Sequence, residues 1–81
     1  MSNAHAVIID DQQSNIDVLT LLLQQQGVTH TAITSSREVM SAISKVDKID
    51  VIFLDLEMPN GDLFTTFSQL KSTPSLTGVP I

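Results

Sequence analysis

Three carboxylates stand where this chain can do chemistry. Asp10 and Asp11 follow the apolar run His5-Ala6-Val7-Ile8-Ile9, and Asp55 follows a second run, Val51-Ile52-Phe53-Leu54. Taken singly, each reads as a turn or helix-cap aspartate. Taken together they point elsewhere. Adjacent acids repel each other and lose solvation when buried without a cation. In open α/β sheets, ligands bind at the carboxyl ends of the strands, which is where all three acids would surface. Clustered carboxylate oxygens select a hard cation, Mg²⁺ rather than a softer metal.

The elements that must position them follow from hydrophobic periodicity. His5–Ile9 predicts a short buried strand, with His5 at its surface end. From Ser14 to Gln26 the pattern is helical: Ile16, Leu19, Leu22 and Leu23 form one apolar stripe, Ser14 or Asn15 caps the start, and Gly27 supplies the left-handed stop. Thr29 to Thr34 is rich in β-branched residues and predicts an outer strand, with His30 in a surface role. Ser35-Ser36-Arg37-Glu38 has capping-box spacing and opens a second helix with Val39, Ala42 or Ile43, and Val46 inward. Residues 47–50 connect to the central strand, whose continuous apolar run suits burial on both faces. After Met58-Pro59-Asn60-Gly61, Asp62 caps a third helix with Leu63, Phe64, Phe67 and Leu70 as its core stripe. Thr73-Pro74-Ser75 ends that helix, and Val79-Pro80-Ile81 reads as the opening of a fourth strand.

Strand alternating with helix is the pattern of a doubly wound α/β layer. In the flavodoxin-like order 2-1-3-4, the first and third strands are neighbours. Their carboxyl ends then bring Asp10, Asp11 and Asp55 into one crevice.

Composition narrows the function classes. Eighty-one residues make one domain at most. The net charge of −5 and four scattered basic residues, Arg37, Lys45, Lys48 and Lys71, argue against direct nucleic-acid contact. No apolar run reaches the ~20 residues of a membrane span, and no signal-peptide pattern opens the chain. With no cysteine, disulfides and thiolate metal sites are excluded, and a reducing, cytoplasmic setting is compatible.

The acidic pair after the first strand, the lone aspartate after the third, and the Met-Pro turn three residues beyond it resemble the receiver domain of two-component response regulators. Here those residues are Asp10-Asp11, Asp55 and Met58-Pro59. The resemblance implies that Asp55 accepts a phosphoryl group from a sensor histidine kinase or phosphotransfer protein. It also implies that Asp10 or Asp11, Asp55 and the backbone carbonyl of Glu57 hold Mg²⁺. Phosphorylation would add roughly −1.5 to −2 charges at an already acidic strand end.

Two departures accompany the resemblance. Receivers carry Gly after the aspartate that begins the third helix, whereas this chain has Asp62-Leu63 with Gly61 earlier. A receiver also continues through strand four with a switch Ser or Thr, helix four, strand five with a phosphate-contacting Lys, and helix five. No residue of this chain matches that switch hydroxyl or that Lys, so residues 1–81 are expected to form a partial receiver, truncated after the start of strand four. One rival reading is a stub that acts as an interaction or dimerisation module without effective phosphorylation. A more distant one is an aspartate-nucleophile phosphatase of the haloacid-dehalogenase type, which wants a second Asp where this chain has Glu57. A truncated sheet is further expected to self-associate through its strand-four edge, with Val51, Phe53, Val79 and Ile81 facing water.

Overall fold

The computed structural model describes residues 4–55 and 63–81. Its centre is β1 (His5–Ile9), flanked in parallel by β2 (Thr29–Ile33) and β3 (Val51–Leu54), giving the order β2-β1-β3. The expected α/β fold with strand order 2-1-3 is therefore present. Ala6, Val7, Ile8 and Ile9 are 0% exposed, which explains why the run is apolar without alternation. Successive side chains feed opposite layers. Val7 and Ile9 join Ile33, Val39, Ile43, Ile52 and Leu70 on one face, while Ala6 and Ile8 meet Ile16 and Leu23 on the other.

Helix α1 (Gln13–Gln25) covers the second face. It starts one residue before the expected caps. Gln12 occupies the N-cap without a side-chain bond, so neither Ser14 nor Asn15 caps it. Of the expected stripe, Ile16 and Leu23 are buried and Leu19 packs against them, but Leu22 is 53% exposed. The reason is angular: at 100° per residue, Leu22 lies 100° from Leu23, at the rim of the arc. Leu22 instead joins Val18 and Leu21 in an exposed apolar ridge. Gly27 ends the helix at φ +73°, as anticipated.

The second helix is shorter than its pattern suggested. Ser35 Oγ accepts from the Arg37 amide, and the Glu38 amide bonds the Ser35 carbonyl rather than its side chain. The result is a 3₁₀ turn at Ser36–Glu38, not a capping box, followed by α2 (Val39–Ile43). Val39 and Ile43 are buried; Ala42 and Val46 are half-buried.

Helix α3 (Leu63–Ser72) overturns an expectation. Among its described side chains the buried ones are Thr66 and Leu70, one turn apart, whereas Phe64 is 86% and Phe67 40% exposed. Phe64 lies 200° around the helix from Thr66, so both cannot face the sheet. Phe67 lies beneath the Lys71 ammonium, 5.6 Å from its ring centre. Proline 74 begins a 3₁₀ turn, Pro74–Leu76, that buries Leu76.

Val79-Pro80-Ile81 is not a strand, although the Ile52 amide donates to the Pro80 carbonyl at 2.9 Å. Proline has no amide to return the bond. Val51, Phe53, Val79 and Ile81, expected to face water, are each half-buried: the first two pack beside α1, the last two against the α2–α3 layer.

At the amino end of the sheet, His5 is a tie rather than a bystander. Its Nδ1 and Nε2 each lie 2.7 Å from a hydroxyl, of Thr29 and Thr31. Its amide donates to Asp50 Oδ2 at 2.7 Å, and the Asp50 amide donates to its carbonyl at 2.8 Å. The His30 Nε2 sits 3.4 Å from Thr20 Oγ1, and both residues are half-buried rather than on the open surface. Among the described residues, no helix is long and apolar enough to cross a membrane.

Two expected outcomes separate the core of α3 from its exposed side. Leu70→Ala should destabilise the fold by about 2–5 kcal/mol, whereas Phe64→Ser should change stability by no more than about 0.5 kcal/mol. Urea titration of both variants checks this; comparable losses would place Phe64 in the core. Gly27→Ala should cost about 1–2 kcal/mol through its left-handed backbone alone, because a Cβ there meets nothing within 4 Å. Thermal denaturation that leaves this variant as stable as the wild type would contradict that turn.

Candidate metal centre

Strand pairing delivers the acids. The register pairs Ile9 with both Ile33 and Leu54, so the next residue of β1 and the next residue of β3 emerge side by side. The Asp10 amide donates to the Ile33 carbonyl at 3.0 Å, and the Asp55 amide donates to the Ile9 carbonyl at 2.9 Å. Each aspartate thus hangs from a backbone bond to the adjoining strand. Asp11 occupies the bend before α1.

One carboxylate oxygen from each of Asp10, Asp11 and Asp55 can be chosen so that all lie within 4.8 Å of one another. Asp10 is buried at 7% exposure, and the other two are half-buried. Asp10 Oδ1 accepts from the Gln12 amide at 2.9 Å, an Asx turn that fixes the carboxylate while leaving it a second oxygen. This bond was missed at the level of sequence; its signal is an aspartate two residues before the helix N-cap. A depression of about 270 Å³ reaches Asp10 and Asp55 over a floor that includes Leu19, Phe53 and Ile81.

The donor set is chemically apt for a hard divalent ion. All three side chains offer carboxylate oxygens, the hard donor type that Mg²⁺ takes. Glu57, Met58 and Pro59 lie outside the described residues, as do Gly61 and Asp62.

Comparison with known proteins agrees with this architecture. The chain is 25% identical over 81 residues to the two-component response regulator ORR8 of Oryza sativa subsp. indica, covering all of this chain and 67% of that protein. It is 30% identical over 67 residues to the response regulator SaeR of Staphylococcus aureus (strain USA300), covering 83% of this chain and 28% of SaeR. A response regulator receiver protein from Pseudomonas putida superposes with a TM-score of 0.81 at 16% identity, over 95% of this chain and 64% of the other. The non-phosphorylated HemR receiver domain of Leptospira biflexa does so at 0.78 and 17%, over 96% and 60%. The chain thus spans less than two thirds of either solved receiver. The response regulator receiver domain family matches residues 6–81, which takes in both acidic strand ends, and this chain belongs to that family.

Proposed function

We propose that Asp55 is the phosphoacceptor of a two-component phosphorelay. In this reading Asp10, Asp11 and Asp55, with the backbone carbonyl of Glu57, hold Mg²⁺. The phosphoryl donor is a phosphohistidine on a sensor histidine kinase or phosphotransfer protein, the setting is cytoplasmic, and residues 1–81 form a partial receiver domain. The observation that carries the reading is the approach of three carboxylate oxygens to within 4.8 Å at the carboxyl end of a parallel sheet.

The residues divide the work by their surroundings. Asp10 is buried and tied by the Gln12 amide, which suits a ligand and not a nucleophile that must meet a bulky donor. Asp55 is half-buried at the end of β3, its backbone fixed to Ile9. An oxygen of the Asp55 carboxylate attacks phosphorus, the phosphorus–nitrogen bond of the donor breaks, and its electron pair returns to the imidazole, which takes a proton from solvent. An acyl phosphate remains on Asp55. When bound, Mg²⁺ neutralises charge on the phosphoryl oxygens and favours in-line transfer. The added charge enters a cluster that is already acidic, a local change that a bistable neighbour can sense.

Incubation with acetyl phosphate and Mg²⁺ should add one phosphoryl group by intact mass, and Asp55→Asn should reduce this to background. Equal labelling of wild type and Asp55→Asn would remove Asp55 from the role. Mg²⁺ should also raise the melting temperature, by an amount equivalent to ~1.4 kcal/mol at tenfold excess over its dissociation constant. Asp11→Asn should weaken that binding about tenfold or more. An unchanged calorimetric isotherm for Asp11→Asn would exclude it as a ligand.

A further inference from the structure

The outer edge of β2 is an unprotected strand edge with a self-complementary surround. The Thr29 amide and the Ile33 carbonyl bond inward, to Ala4 and Asp10, so alternation turns the amides and carbonyls of His30 and Ala32 outward. Among the described residues, nothing pairs with that side of β2. The usual devices that blunt an edge are a lysine, a proline or a bulge. The strand Thr29-His30-Thr31-Ala32-Ile33 has none of them, and its register with β1 is unbroken over five residues.

We propose that this edge pairs antiparallel with the same edge of a second copy, about a two-fold axis at Thr31. Setting His30 opposite the partner's Ala32, and Ala32 opposite the partner's His30, forms four backbone hydrogen bonds around a central pair of Thr31 residues. The large His30 then meets a small side chain, and exposed Ala32 gains a cover. Charge selects a second copy over an unrelated strand. A groove of about 500 Å³ runs beside Thr31, bordered by Ser41 and Ala42, with Glu38 and Lys45 on its walls. Both charged residues are exposed, Glu38 before the start of α2 and Lys45 beyond its end. An antiparallel two-fold sets each copy's Glu38 toward the partner's Lys45, so the interface is isologous and neutral in its charge pairs. The proposal is independent of the phosphoacceptor reading, and it concerns the sheet edge opposite the one on the strand-four side.

Analytical ultracentrifugation over a concentration series reaching ~1 mM tests it, since four backbone hydrogen bonds support only a modest affinity. A monomer–dimer equilibrium is expected. Ala32→Pro removes an outward amide that β1 does not use, and by symmetry two of the four bonds; it should weaken the dimer about tenfold or more. Glu38→Lys and Lys45→Glu should each weaken it, and the double exchange should restore it, a rescue that mere loss of folding cannot produce. Hydrogen exchange should show the His30 and Ala32 amides protected in the dimer and open at dilution. A monomer throughout the series overturns the proposal. So does a dimer indifferent to the charge exchange and with open His30 and Ala32 amides, which would place association on the β3 edge or the α1 ridge.

Discussion

The double pairing of β1 is the constraint on which this molecule depends. Residues 6–9 are wholly shielded from water, so their amides and carbonyls must find partners in the chain. Two parallel neighbours supply them. That requirement fixes register, and register fixes everything downstream. A slip of one residue along β1 would send Val7 and Ile9 to the α1 face. It would also part Asp10 from Ile33, and Asp55 from Ile9.

Much of this was legible in the residues. The apolar runs at Ala6–Ile9 and Val51–Leu54 identified the inner strands because full burial demands uninterrupted hydrophobicity. The acids immediately after them followed from the same pattern, since a strand that leaves the core must end in something water or a cation can solvate. Gly27 was legible because a left-handed helix stop favours glycine. What remained hidden depended on angles and partners. Phe64 and Phe67 look like core by hydrophobicity, yet α3 presents Thr66 and Leu70 to the sheet, and only the docked rotation of the helix decides between those arcs. The Ser35 cap kept its position but not its geometry, because one tight 3₁₀ turn intervenes before α2. His5 gave no sign of its role: its two hydroxyl partners come from β2, and they meet it only once the strands are in register.

The two ends of the sheet carry opposite burdens. At the carboxyl end, three carboxylates crowd within 4.8 Å, and like charges in a half-buried crevice oppose folding. At the amino end, His5 and Asp50 exchange backbone and side-chain hydrogen bonds, Lys48 lies 3.7 Å from Asp50, and His5 spans Thr29 and Thr31. These contacts join all three strands at the point farthest from the acids. A β-strand transmits such a constraint well, because shifting its register at one end requires shifting it at the other. The polar clasp therefore fixes at one end of the strands the register that brings the acidic cluster together at the other. Asp50 and Asp55 illustrate the division: five residues apart on either side of β3, the first is spent on holding the register and the second emerges where that register brings the acidic side chains together.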